Sequence, residues 1–207
     1  GDMVETFKEQ AATSPEDTPP VPSDIFTIMY TSGTTGVPKG VMLSHMNVVC
    51  TVSMAVVLTI SLGCTPGEVW LSYLPLAHVF EQLNCLGMMF IGAVINMASS
   101  GAKGLLADLQ VVRPTLFAGV PKVYENIRDA VMRKMTGTKK KLFDMAIAAK
   151  IKDIETGCGY CCLWDTLIFS KTKAALGGRV RCCLTGGAPI SKDTLQFVIA
   201  ALAPVAQ

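Results

Sequence analysis

The chain is 207 residues long with a formal charge of +2; half of its residues are apolar and 16% are charged. That length holds one domain with a substantial core or two small ones, and needs no disulfide staples. So small a basic excess argues against a dedicated nucleic-acid binder. Eight cysteines without a secretory pattern at the N-terminus point to a reducing, intracellular compartment. Cys158, Cys161 and Cys162 with Cys182 and Cys183 raise a zinc reading, but the second pair is adjacent, so both thiolates cannot face one ion. Buried free thiols are the simpler reading, and no metal ligand is assigned.

In chain order, residues 1–24 carry six acids and prolines at 15, 19, 20 and 22. They read as a short N-terminal helix and a proline-stiffened lead-in to a domain over 25–207. Strand-like runs follow at 25–30, 69–74, 93–96, 116–119 and 180–184. Helix-period segments alternate with them at about 45–61, 79–91, 102–112, 121–135, 139–156 and 191–202. Ser44 and Ser191 stand where N-caps belong, and Pro121 suits a first helical turn. The alternation predicts an α/β architecture with a largely parallel sheet covered by helices.

Two stretches lack charge, between Lys39 and Glu68 and between Glu81 and Lys103. Neither supplies the ~20 continuous apolar residues of a spanning helix, since Val48 to Leu62 is interrupted by Thr51, Ser53, Thr59 and Ser61. They read as buried core helices. The segment 121–156 is different: residues 122–152 hold nine Lys or Arg against three acids. Val123, Ile127, Val131 and Met135 recur every four residues, and Phe143, Ile147, Ile151 and Ile154 form a second stripe. These read as two core-packed helices with a solvated basic face. The alternative is a basic amphipathic hairpin resting on anionic lipid or along a phosphorylated cofactor.

The segment richest in chemistry is Thr31 to Gly40, TSGTTGVPKG. Glycines let backbone N–H groups approach an anion, hydroxyls add neutral donors, and Lys39 adds a mobile point charge. The P-loop pattern fails, because Lys39 is followed by Gly40 and not by Ser or Thr. The dinucleotide fingerprint fails on the spacing of Gly33, Gly36 and Gly40. Val41 to Leu43 reads as a short strand, so the loop joins two strands as a hairpin. Three later segments each follow a strand: LPLAHVFE at 74–81, GVPKVYENI at 119–127 and GGAPIS at 186–191. His78 alone reads as a hydrogen-bonded structural histidine, and GGAPIS alone as a glycine turn capped by Ser191.

Tyr30 to Asn47, YTSGTTGVPKGVMLSHMN, resembles through its whole length the phosphate-binding signature of the adenylate-forming superfamily. LPLAHVFE and GVPKVYENI resemble its long-chain fatty acid–CoA ligase branch. The resemblance runs from about Ile25 to the C-terminus, and implies the α/β fold of a large AMP-binding domain. It implies ATP and phosphate contacts at Thr31, Ser32, Gly33, Thr34, Thr35, Gly36 and Lys39. It puts Gly187, Ala188 and Pro189 on the adenine side, and His78 near the acyl and adenylate pocket as a shaping residue. The implied substrates are a fatty acid, ATP and coenzyme A, with Mg2+ sharing the phosphate charge. The implied reaction makes acyl-AMP and pyrophosphate, then the thioester and AMP.

The family's Tyr-Gly-x-Thr-Glu segment, its ribose-binding acid and its catalytic lysine are not found up to Gln207. No catalytic residue is therefore assigned, and the chain is expected to be part of a larger ligase and inactive by itself. Surfaces that other segments cover would then face water, so self-association is expected. Peripheral contact with an organelle membrane is a further expectation. The competing class is a catalytically silent nucleotide-binding or membrane-associated interaction module.

Overall fold

The computed structural model describes residues 19–31, 38–99, 101–157 and 164–206. The expected N-terminal helix, the tip of the glycine loop at 32–37, and Cys158, Cys161 and Cys162 lie outside them. The chain divides into two units, residues 1–51 and 52–207.

The first unit carries a two-stranded antiparallel hairpin, β1 (Ile25–Thr31) against β2 (Lys39–Ser44), as the sequence predicts. Helix α1 (His45–Ser61) follows directly. Its start is fixed by reciprocal bonds: Asn47 N–H donates to Ser44 Oγ at 3.2 Å, and Ser44 N–H donates to Asn47 Oδ1 at 3.1 Å. Both satisfy orphan donors of a first helical turn. The expected core helix is only partly realised. Val48, Val52, Val56 and Thr59 form a buried stripe, while Met46, Val49, Met54, Val57 and Ile60 are exposed.

The second unit is built on a five-stranded parallel sheet. Its strands are β3 (Val69–Ser72), β4 (Val94–Met97), β5 (Leu116–Gly119), β6 (Cys182–Thr185) and β7 (Val205–Ala206), in spatial order β4-β3-β5-β6-β7. The helices are α2 (Val79–Phe90), α3 (Gly101–Val112), α4 (Pro121–Arg133) and α5 (Gly137–Thr156). A π-helical turn, Asp165–Phe169, then runs into α6 (Ser170–Ala175), and α7 is Lys192–Ala201. The turn, α6 and β7 have no counterpart among the sequence-predicted elements.

Strand periodicity sorts the core into two layers. Trp70, Leu116, Ala118 and Cys182 point to one face and pack with Cys85 and Met88 of α2. Leu71, Phe117 and Cys183 point to the other, where Leu109, Tyr124, Phe143, Phe169 and Phe197 fill the larger core. Both faces are covered, which is why these short strands read as continuous apolar runs rather than alternating ones. The basic segment is settled by the same packing. Ile127 and Phe143 are buried, and Val123, Val131, Met135, Ile147 and Ile151 pack against the core, so α4 and α5 are core helices with a charged outer face. Ile154 alone of the two stripes is exposed.

Candidate functional site

Counted along the chain, the parallel strands lie in the order second, first, third, fourth, fifth. The connection after β3 leads outward to β4, whereas later connections lead the opposite way. The switch point therefore falls between β3 and β5, and a ligand crevice is expected beyond the carboxyl ends of the strands there. LPLAHVFE leaves β3 at that end, GVPKVYENI leaves β5, and GGAPIS leaves β6.

His78 has a definite local role: Phe80 N–H donates to its Nδ1 at 3.3 Å, making it the N-cap of α2. With Nδ1 accepting, the neutral ring carries its proton on Nε2. The side chain is exposed. One turn on, Glu81 is fully buried and accepts from Trp70 Nε1 at 3.4 Å and from the Cys85 thiol at 3.5 Å. The bond from Trp70, with that between the Cys85 thiol and Ser72 Oγ at 3.5 Å, docks the first turns of α2 on β3 and so aims His78. Burial pushes the Cys85 thiol up to about 11 and Cys183 up to about 12. Both are neutral packing groups and not nucleophiles at neutral pH.

GVPKVYENI braces the strands beneath that end of the sheet. Tyr124 is fully buried, and its hydroxyl donates towards the carbonyls of Phe117 (3.1 Å) and Leu184 (2.8 Å), tying β5 to β6. Lys122 is exposed and pairs with Glu125 on the surface.

The two glycines after β6 do different things. A Cβ on Gly186 would lie 2.6 Å from the Phe80 ring, so the flat ring against this backbone is the protein's own. Gly187 has φ +83°, a conformation that side chains resist, and only Val120 comes as near as 4.0 Å to a Cβ there. Gly187, Ala188 and Pro189 are exposed. Phe80 thus brings the His78 segment and the glycine turn together.

Beside them lies a cavity of about 120 Å³. Ala55, Val56, Phe80, Leu83, Met88 and Leu184 give it an apolar wall, and Thr185 lines it as well. Phe80 and Thr185 are cavity-lining residues that sequence reasoning passes over. No periodicity or spacing marks them, since their roles depend on α2 meeting the end of β6.

In the first unit, Thr31 and Lys39 are cross-strand partners, and Thr31 Oγ1 lies 3.4 Å from the Lys39 carbonyl. The hairpin therefore closes at the two ends of the glycine loop. Lys39 is exposed. Ser32, Gly33, Thr34, Thr35 and Gly36 lie outside the described residues.

The family model for AMP-binding enzymes matches residues 2–207. The chain belongs to the AMP-binding enzyme family. This AMP-binding enzyme is 40% identical over 183 residues to the peroxisomal long chain acyl-CoA synthetase 7 of Arabidopsis thaliana, covering 87% of the chain and 26% of that protein. It is 41% identical over 190 residues to long-chain-fatty-acid–CoA ligase 5 of Rattus norvegicus, covering 89% and 27%. The chain thus spans about a quarter of the length of these curated relatives. Among solved structures it resembles the adenylation domain of a carboxylate reductase from Mycobacterium chelonae, with TM-score 0.62 and 22% identity, over 89% of this chain and 26% of that one. It also resembles a carboxylic acid reductase didomain from Segniliparus rugosus, solved in complex with AMP, with TM-score 0.62 and 21% identity, over 95% and 26%. These likenesses establish the adenylation-domain fold.

Proposed function

We propose that this AMP-binding enzyme chain is the phosphate-loop and acyl-pocket part of an ATP-dependent long-chain fatty acid–CoA ligase. The observation that carries the reading is the hairpin, whose paired Thr31 and Lys39 bracket a hydroxyl- and glycine-rich loop. The 40% identity to long chain acyl-CoA synthetase 7 supports the substrate class.

The reaction joins a fatty carboxylate to the α-phosphate of ATP, releasing pyrophosphate, and coenzyme A then displaces AMP to give the thioester. The tasks of this chain are electrostatic and positional. Thr31, Ser32, Thr34 and Thr35 donate to the departing phosphates, with the amides of Gly33 and Gly36 alongside. Lys39 holds charge on them. Gly187, Ala188 and Pro189 form an open backbone edge against which adenine lies. His78 shapes the mouth of the acyl pocket, and the cavity behind Phe80 takes the first methylenes of the acyl chain.

Among the described residues no three His, Cys, Asp or Glu could hold a metal ion. No step is assigned to a protein-held magnesium here. Among the described residues no helix is long and apolar enough to cross a membrane. We place the enzyme inside the cell, a reading supported by the peroxisomal synthetases among its relatives.

The test is palmitate-dependent exchange of pyrophosphate into ATP by the intact protein that carries this chain. Lys39→Ala removes a charge-assisted contact worth about 1.5–3 kcal/mol, so exchange should fall by about 10- to 100-fold with the thermal midpoint unchanged. Undiminished exchange in Lys39→Ala would remove the loop from the mechanism. Nucleotide binding without any carboxylate-dependent exchange would favour the silent nucleotide-binding module.

A further inference from the structure

The Thr185 hydroxyl is buried, lines the cavity behind Phe80, and has no hydrogen-bond partner among the described residues. Its residue is 7% exposed. The other two polar side chains on that wall, Thr59 and Asn84, each make an internal hydrogen bond. Thr59 Oγ1 donates to the Val56 carbonyl at 2.9 Å, and Asn84 Nδ2 donates to the Phe80 carbonyl at 2.8 Å. Thr185 is therefore a donor held ready in an apolar cavity, an arrangement that costs stability unless a ligand supplies the acceptor. Native structures leave few such groups, and they recur where a ligand completes the network.

Its position indicates which part of a ligand it meets. Thr185 is the last residue of β6, directly before Gly186, and the Phe80 ring both lines the cavity and packs on Gly186. The Thr185 end of the cavity thus abuts the glycine turn, and Ala55, Val56, Leu83 and Met88 offer a ligand only apolar contact. A molecule with one oxygen-bearing head and an apolar tail fits in a single orientation, head at Thr185. We propose that Thr185 is a specificity residue whose hydroxyl donates a hydrogen bond to the carboxylate head of the acyl substrate, fixing its register at the crevice. This rests on the reading of the cavity as the acyl site.

The experiment is carried out on the intact protein, with palmitate as probe, by measuring pyrophosphate exchange and thermal unfolding of Thr185→Val and Thr185→Ser. Valine keeps the shape and removes the donor, whereas serine keeps the donor. A hydrogen bond to a charged group corresponds to about 10- to 100-fold, so Thr185→Val should raise KM for palmitate by that factor and leave KM for ATP within about twofold. Its midpoint should hold or rise, because an unpaired buried hydroxyl is gone. Thr185→Ser should restore KM for palmitate to within about threefold of wild type. An unchanged KM for palmitate in Thr185→Val would overturn the proposal and leave the hydroxyl as the seat of a bound water. A lower midpoint with KM for palmitate and ATP rising together in both variants would overturn it in favour of a packing role. If wild type exchanges pyrophosphate with no fatty acid, the acyl reading itself falls, a result distinct from either of these.

Discussion

Gly177 illustrates how a single residue can be fixed by its neighbours rather than by its own element. It ends α6 with φ +84°, and a Cβ there would lie 2.5 Å from the Leu109 carbonyl oxygen. Its N–H donates to Ala174, and Gly178 N–H donates to Lys173, closing the helix end. Arg113 Nε and Gln110 Nε2 reach the carbonyls of the same turn, so the end of α3 is stitched to the end of α6. Gly177→Ala meets both a strained backbone and a backbone clash. It should destabilise by about 3 kcal/mol, read as a lower urea midpoint with an unchanged slope. The caps at Ser44 and Ser191 are the opposite case. Each needs only the residues beside it, and each is legible from the chain.

At the scale of elements, two partly buried ion clusters tie separate elements together. Asp165 on the π-helical turn accepts from Lys150 of α5 and Lys173 of α6, both at 2.6 Å. Lys150 also lies 5.4 Å from the centre of the Phe169 ring. Asp165→Asn leaves two ammonium groups facing a neutral amide and should cost about 3 kcal/mol by chemical denaturation, the low end for a buried pair because Lys173 is partly solvated. Glu68, at the start of β3, pairs with Arg181 before β6 and accepts from the Thr115 hydroxyl. Burial alone would raise both carboxyls. The bonds from Arg181 and Thr115 to Glu68, and from Lys150 and Lys173 to Asp165, outweigh it and hold both below their ordinary values of 4.5 and 3.8. A depressed folded value means that the unfolded state binds protons first as pH falls. The stability from both groups is therefore fully present above about pH 5 and is lost progressively as pH drops through the two folded values. Urea midpoints at about pH 6, 4 and 3 should trace that fall, with a shallower slope in Asp165→Asn.

At the scale of the whole molecule, the conspicuous feature is an apolar surface on α1. Met54, Val57, Leu58 and Ile60 are all more than two-fifths exposed, Met54 by 76%. Such a helix is normally covered, and a chain spanning 26% of the length of a curated relative has ample sequence elsewhere in that relative to do it. For the chain by itself, concentration-dependent association is expected in sedimentation velocity. Met54→Glu with Val57→Lys should suppress it without lowering the thermal midpoint, because neither side chain is buried. Association that persists in the double variant would locate the sticky surface elsewhere.

The sequence by itself determined the α/β class, the strand at 116–119, the hairpin around the glycine loop, the caps and the family. All but the family rest on local chemistry: short apolar runs between 3.6-period segments, a hydroxyl before a helix, a glycine run beside a lysine; the family rests on the resemblance of Tyr30 to Asn47. It left out the π-helical turn, α6 and β7, because their lengths carry too few residues for a period to register, and tertiary bonds hold them in place. It placed His78 and Gly187 among the site residues, but not Phe80 or Thr185. Whether an aromatic ring is core or pocket wall, and whether a hydroxyl is satisfied or orphaned, depends on which distant backbone stands next to it. That is decided by the packing of α2 on β3 and β6, where residues about a hundred positions apart become neighbours.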